Sequence, residues 1–145
     1  MRRALLTGLW TCLLTTSAQA APLDVDGLWI ASSRDDRVKA HVRISDCGDG
    51  TPCGRLAWID STGRERARNE RHAVRARRPG PLIGTPILWG FAKDDRGWRG
   101  GRVYNPEDGA AFASSLSKRG ADQLRVTGCL GPICETKTWI RVTHD

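Results

Sequence analysis

The feature that most constrains the fold of this chain is a two-residue alternation of apolar and polar side chains. It is clearest from Val38 to Ser45, where four apolar residues fall on one face and Lys39, His41 and Arg43 on the other. Such alternation is typical of a strand with one face buried and one in water. The pattern predicts seven further strands and hardly any helix: Gly27 to Ala31, Gly54 to Ile59, Leu82 to Phe91, Gly97 to Tyr104, Ala110 to Leu116, Gln123 to Cys129 and Glu135 to Val142.

Short clusters of turn-forming residues separate these stretches. Asp46 to Gly50, Asp94 to Gly97 and Asn105 to Gly109 are examples, rich in the residue types that form turns. Short connections join antiparallel neighbours, so we predict an all-β fold, a small antiparallel meander of about eight strands. The meander closes into a barrel, which removes exposed edges, or lies as two sheets. Sixteen glycines favour the barrel, because they suit strongly bent strands.

Residues 1–20 have the composition of a cleavable export signal. Two arginines give a positive start, Ala4 to Leu14 is an apolar run too short to span a bilayer, and Ala18-Gln19-Ala20 is a small-x-small cleavage site. We therefore expect residues 21–145 to form a single domain in the periplasm or outside the cell. No second long apolar run follows, so the sequence predicts no membrane-spanning segment.

Four cysteines remain once the signal, which carries Cys12, is removed. They form two close pairs, Cys47 with Cys53 and Cys129 with Cys134. An even number of cysteines in an oxidising compartment indicates disulfides, and the local pairing is the one of three connectivities that demands least of the fold. A zinc site with four thiolate ligands is the alternative, although its spacings would be longer than those of the usual zinc knuckle.

The mature chain is basic. Without the two arginines of the signal, 21 of the 23 basic residues remain against 16 acidic ones, a net charge of +5. A basic surface favours anionic partners, which for an exported protein are polymers and lipids of the cell envelope rather than nucleic acid. Much of the charge lies in the arginine-rich segment, residues 61–81, which has seven arginines and no apolar period. A long connection of this kind is either functional or a solvated crossover, and Arg75, Arg77 and Arg78 are its candidate anion-binding residues.

Five motifs occur along the chain in a set order. They are Gly27-Leu28-Trp29, Pro81 to Leu88, Gly100 to Gly109, Leu124 to Cys129 and Thr136 to Arg141. In this order and spacing they resemble DUF2147, a family of exported bacterial proteins of unknown function, across nearly all of the mature chain. Three positions depart from the residues common in that family, which has aspartate, tyrosine and glutamine where this chain has Asn105, Phe112 and Lys137.

A wider resemblance is to the lipocalin-like barrels. It is carried by a Gly-x-Trp motif on the first strand and an arginine on the last. In those barrels the tryptophan closes one end beneath the arginine, which implies that Trp29 and Arg141 pack together here. A guanidinium group on an indole ring contributes about 0.5 to 2 kcal/mol as the pair is desolvated.

No constellation of residues identifies a reaction. The histidines lack ligand spacing, Glu107 and Asp108 are adjacent and point apart, and no serine lies in a Gly-x-Ser-x-Gly motif. We therefore predict no catalytic residue, cofactor or metal. We favour non-catalytic binding of a small apolar or amphipathic ligand in the barrel mouth, or of an anionic envelope component. The alternatives are a hydrolase or isomerase with a scattered site, and a structural or stress-related interaction module.

The candidate ligand-binding residues lie in and near the central hairpin. Trp98 is flanked by arginines and glycines, which is typical of an exposed hairpin surface and suits a stacking platform for a sugar ring or a flat apolar ligand. Arg102, Tyr104 and Asn105 follow it on the same predicted hairpin.

The arginine-rich segment generates a test of anion binding. We expect the mature protein to bind vesicles or polymers rich in anionic groups at low ionic strength, and to lose that binding steeply as salt rises, because salt screens exposed charges. Changing Arg75, Arg77 and Arg78 to Gln should weaken binding and hardly change the free energy of unfolding. Co-sedimentation over a salt series measures this. A triple variant that binds as well as the parent would show that the segment is only a solvated connection.

Overall fold

The computed structural model describes residues 23–64 and 82–143 of the chain. Residues 1–22, most of the arginine-rich segment and the last two residues lie outside the described residues, and with them the predicted signal and Arg75, Arg77 and Arg78. The described residues form nine strands and one helical turn at residues 61–64: β1 Gly27–Ser32, β2 Lys39–Asp46, β3 Pro52–Ile59, β4 Pro86–Trp89, β5 Ala92–Asp94, β6 Gly97–Asn105, β7 Ala110–Arg119, β8 Gln123–Leu130 and β9 Ile133–Arg141.

The sheet closes on itself, so the predicted antiparallel barrel is confirmed and the alternative of two sheets is not found. The strand order is β4-β3-β2-β1-β9-β8-β7-β6-β5, and β4 also pairs with β6 to complete a barrel of eight strands. Every strand pairing in the sheet is antiparallel, and β1 pairs with β9 with Trp29 opposite Arg141. Closure leaves the eight barrel strands without an unpaired edge.

One predicted strand is divided. The stretch from Leu82 to Phe91 was expected as a single strand, but pairing begins only at Pro86, and β4 and β5 then pair with successive parts of β6. The break follows from packing, because Phe91 is 4% exposed and a Cβ at Gly101 would overlap its ring. Phe91 thus turns into the core where regular pairing would have continued.

The two ends of the barrel differ. The sealed end holds the start of β1 and the β2–β3 and β7–β8 turns, whereas the open end holds the β1–β2 loop and the β6–β7 and β8–β9 turns. The core follows the alternation of the strands. Its buried apolar residues are Val25, Trp29, Val38, Val42, Ile44, Leu56, Ile59, Ile87, Leu88, Phe91, Trp98, Leu116, Leu124, Val126 and Trp139.

Trp29 and Arg141 form the seal. The Trp29 side chain is fully buried, its Nε1 donates to Val25 O at 2.9 Å, and the Arg141 guanidinium lies 4.3 Å from the centre of its ring. Arg141 also donates to Asp26 O at 2.6 Å and to Ala121 O at 2.9 Å. Gly27 makes room for this, since its φ is 135° and a Cβ there would overlap Arg141 Nη1. The glycine of the Gly-x-Trp motif is thus required by the arginine.

Both disulfides have the predicted local pairing, and the zinc alternative is not found. Cys47 and Cys53 staple the β2–β3 turn at the sealed end, with Cα atoms 5.1 Å apart. Cys129 and Cys134 staple the β8–β9 turn at the open end, with Cα atoms 4.1 Å apart. Closing loops this short removes about 2 kcal/mol of chain entropy from the unfolded state. Each disulfide therefore mainly stabilises its own turn and is not the main source of the stability of the barrel.

The seal predicts the ranking of three substitutions. Trp29→Ala should lower the free energy of unfolding by about 3 to 5 kcal/mol, because it leaves a cavity in the core. Arg141→Ala should lower it by about 1 to 2 kcal/mol, through loss of the ring contact and the carbonyl hydrogen bonds. Arg119→Ala, at an exposed arginine of β7, is the control and should stay within about 0.5 kcal/mol of the parent. Urea denaturation gives the three values, and a Trp29→Ala protein as stable as the parent would contradict the seal.

Candidate functional site

The open end of the barrel contains a cavity of about 350 Å³. Its wall is built by side chains from most of the barrel strands, so the site depends on closure of the sheet rather than on one motif. The apolar residues that line its interior are Ala31, Val38, Ala40, Val42, Leu56, Ile59, Ile87, Val103, Phe112, Val126 and Trp139, and Leu130 and Ile133 line its open end.

Small residues create the space. Ala31 and Ala40 face each other across β1 and β2, and Gly128 on β8 contributes no side chain at all. The deeper residues are large and closely packed: Val42, Leu56 and Trp139 are each at most 5% exposed. The cavity therefore has an apolar wall that narrows onto the core, and it excludes an unpaired charge because burying one costs several kcal/mol.

The rim of the cavity carries an ion-pair network, which we call the rim network: Arg34, Asp36, Asp108, Glu135 and Lys137. Arg34 Nε lies 3.2 Å from Glu135 Oε2, and Arg34 Nη2 lies 3.5 Å from Asp108 Oδ2. Lys137 donates to Arg34 O at 3.1 Å and lies 3.7 Å from Asp36 and 3.9 Å from Glu135. The network joins the β1–β2 loop to the β6–β7 turn and to β9.

One carboxylate of the rim network has a lowered pKa. A hydrogen bond from Ser32 and the nearby Lys137 ammonium lower the pKa of Asp36 below its ordinary value. These groups are exposed, and exposed ion pairs contribute little to stability. They present both signs of charge at the mouth, while the interior of the cavity is apolar.

Among residues 23–64 and 82–143, the charged groups that line the cavity are Arg34, Glu107, Glu135 and Lys137, and all four lie at its open end. In the same part of the chain, no three His, Cys, Asp or Glu side chains are grouped so as to hold a metal ion. The described residues also contain no helix long and apolar enough to cross a membrane.

The predicted ligand-binding residues other than Trp98 divide into three groups. Tyr104 and Asn105 line the cavity at the end of β6. Arg102 does not line it; this side chain is exposed, and its Nη2 donates to Ala111 O at 3.0 Å. Arg75, Arg77 and Arg78 lie outside the described residues.

The prediction that Trp98 is exposed is wrong. Trp98 is 5% exposed, belongs to the core near the sealed end, and does not line the cavity. Its Nε1 donates to Asp24 Oδ1 at 3.0 Å, and Lys93 Nζ lies 4.8 Å from the centre of its ring and 2.8 Å from Asp24 Oδ2. Flanking arginines and glycines suggested a surface, but the fold brings Asp24, 74 residues earlier in the sequence, and Lys93 against Trp98.

Sequence reasoning missed the rim network, above all Arg34, Glu135 and Lys137. The signal available was the charged run from Arg34 to Arg37 between two predicted strands. That run resembles a solvated turn, and nothing local says that Glu135, a hundred residues later, lies beside it.

Comparison with known proteins gives the family. Residues 27–141 match the family described as "Uncharacterized protein conserved in bacteria (DUF2147)". The chain belongs to this family. The matched range runs from the glycine of the seal to its arginine, so the DUF2147 region coincides with the barrel. No curated protein sequence matches the chain significantly.

A solved structure shares the barrel. Protein HP1028 from the human pathogen Helicobacter pylori, described as belonging to the lipocalin family, aligns with a TM-score of 0.59 and 19% sequence identity. The alignment covers 82% of this chain and 83% of that protein. At this identity the similarity establishes the fold, so the DUF2147 barrel of this chain is lipocalin-like.

The contacts of Trp98 predict a pH-dependent contribution to stability. Burial raises the pKa of Asp24, but hydrogen bonds from Lys93 and Trp98 outweigh it and lower the pKa below its ordinary value. A lowered pKa stabilises the fold above the ordinary value and loses this contribution as pH falls through the lowered one. Asp24→Asn should thus cost a few tenths to about 1 kcal/mol at pH 7, and the difference from the parent should shrink towards pH 2.

Denaturation at the two pH values measures the Asp24 contribution. Asp95→Asn is the control, because Asp95 is also exposed and lies in the adjacent β5–β6 turn, whereas the side chains of Trp98 and Lys93 donate to Asp24. A difference between Asp24→Asn and the parent that stays the same at both pH values would contradict the role given to the carboxylate.

Proposed function

We propose that this protein is an exported, non-catalytic binding protein that holds one small apolar or amphipathic molecule in the mouth of its barrel. The observation that supports the proposal is the cavity, about 350 Å³ in volume, apolar inside and ringed by charge. A barrel of eight strands either fills its interior with side chains or holds one small ligand. Here the interior is filled at the sealed end and open at the other.

The size and polarity of the cavity define the ligand class. Cavities of about 300 to 1,000 Å³ are typical of small-molecule sites, and this one falls at the lower end. It suits a single alkyl chain or a small ring system rather than a two-chain lipid. A polar group on such a molecule would be placed at the rim, where Asn105 and the rim network offer donors and acceptors.

Export is part of the proposal. The signal-like composition of residues 1–20 supports it, and so do the two disulfides, which persist in oxidising compartments. The ligand would then be a molecule of the periplasm or of the medium. The seven arginines of residues 61–81 favour an anionic envelope polymer or lipid surface as a second partner, and the salt series described above tests that partner separately.

Native mass spectrometry of protein purified from its own periplasm tests the proposal directly. We expect a retained mass of a few hundred daltons at most, given the size of the cavity, and its loss on brief denaturation and refolding. The refolded protein should bind an apolar fluorescent dye, and an extract of the envelope should displace the dye. A protein that carries no mass and binds no dye would favour the interaction module without a ligand.

A substitution that fills the cavity gives a second test of the proposed function. Ala40 lines the cavity, so Ala40→Phe should weaken dye binding by more than about tenfold, because the ring takes the space of the ligand, with about 1 to 3 kcal/mol lost to overpacking. Ala113→Phe places the same ring on the exposed face of β7 and is the control. Far-UV circular dichroism checks that both variants fold. Equal dye binding by both would show that the dye lies outside the cavity.

A further inference from the structure

An apolar projection stands at the mouth of the barrel. Leu130 and Ile133, which we call the apolar lip, are 71% and 76% exposed. The other exposed large apolar residues of the described chain, among them Trp58 and Ile140, are only 42 to 43% exposed. Exposing two adjacent aliphatic side chains this fully is unfavourable in water, so their position calls for a partner.

The local structure fixes the lip in place. Leu130 and Ile133 face each other as the last pair of β8 and β9, and only Gly131 and Pro132 connect them. Gly131 has a φ of 58°, which a two-residue hairpin turn requires at this position and which glycine adopts without strain. The next pair, Cys129 and Cys134, is cross-linked. The two side chains are therefore presented by a short, covalently stapled tip.

The lip continues the wall of the cavity. Leu130 and Ile133 both line the cavity, above Gly128 on the same face of β8. On β8 the apolar lining continues from Val126 past Gly128 to Leu130, whereas on β9 the rim residues Glu135 and Lys137 separate Ile133 from Trp139. Whatever covers the lip also faces the opening.

The size of the lip and the charges near it decide what kind of partner fits. Two aliphatic side chains are far less than the roughly 1,000 Å² that a specific protein interface needs, so a second copy or another protein would need contacts that the lip does not supply. A bilayer needs no complementary surface, and isolated apolar side chains enter it at its interface. In the rim network, the β1–β2 loop and the β6–β7 turn together, the charged residues are three basic, Arg34, Arg37 and Lys137, against five acidic, Asp35, Asp36, Glu107, Asp108 and Glu135. The net charge of these segments is negative and does not favour anionic lipid.

We propose that the apolar lip inserts into the surface of a lipid bilayer and so holds the mouth of the cavity against the membrane. This docking rests on the proposed function only for its biological role: a barrel docked in this way would exchange an amphipathic ligand with the membrane. The docking itself is apolar, and it does not depend on salt.

The test is binding to vesicles of phosphatidylcholine, a zwitterionic lipid, at low and at high salt. The mature protein should co-float with these vesicles equally at both ionic strengths. Leu130→Ser and Ile133→Ser should each weaken binding by roughly tenfold, the fold-change for about 1.4 kcal/mol of lost apolar burial. The lip double variant combines these two changes. Its control combines Trp58→Ser and Ile140→Ser on the outer wall of the barrel and should bind as the parent does. Both sets are surface changes, and matching denaturation midpoints will show that each variant folds.

Four results would overturn the proposal. The first two are a lip double variant that binds vesicles as the parent does, and a control variant that loses as much binding as the lip double variant. The third is binding of the parent to anionic vesicles alone, and only at low salt. The fourth is a dimer of the parent that the lip double variant does not form. The failure of the proposed function is distinguishable, because Ala40→Phe blocks the cavity and leaves the lip intact. If the parent carries no retained mass and binds no dye while the parent and Ala40→Phe both still bind vesicles, the binding function is refuted and the docking stands.

Discussion

The stacking of Arg141 on Trp29 makes the two ends of the barrel different. A closed sheet of eight strands encloses an interior that side chains just fill. At the sealed end a fully buried indole fills it, and the guanidinium above the ring also binds the carbonyls of Asp26 and Ala121. One side chain thus ties the segment before β1 to the β7–β8 turn. At the other end Ala31, Ala40 and Gly128 stand where bulky residues would close the interior, so a cavity remains.

The local pattern of the sequence was enough for most of the fold. Strand β2 begins one residue after the predicted Val38 and ends one residue after the predicted Ser45, because alternation reports directly which side of a strand is buried. The pattern was not enough for the stretch from Leu82 to Phe91, where consecutive apolar residues gave no sign of the break before β5. It also failed for Trp98, whose partner Asp24 lies 74 residues earlier.

The candidate site was predicted only in part, for the same reason. Tyr104 and Asn105 lie on a hairpin that the sequence predicted, and they do line the cavity. The rim network was not foreseen, because Arg34 and Glu135 are 101 residues apart in sequence and meet only when β9 pairs with β1 to close the barrel. A contact of this kind depends on the whole topology. Local periodicity does not predict such a contact. A family resemblance that implies closure of the barrel does, as the Gly-x-Trp motif did for the contact of Trp29 with Arg141.

The mouth of the cavity combines two kinds of surface that respond differently to a ligand. The rim network is made of exposed ion pairs, each of which contributes at most about 1 kcal/mol and exchanges readily with water. The apolar lip, by contrast, is fixed by a two-residue turn and a disulfide. If a ligand enters as we propose, the residues that rearrange are those of the β1–β2 loop, which the network holds, and not those of the β8–β9 turn. An alkyl chain would then pass over the fixed lip, and its polar end would exchange with the charges of the rim, so the asymmetry of the mouth gives the bound molecule one orientation.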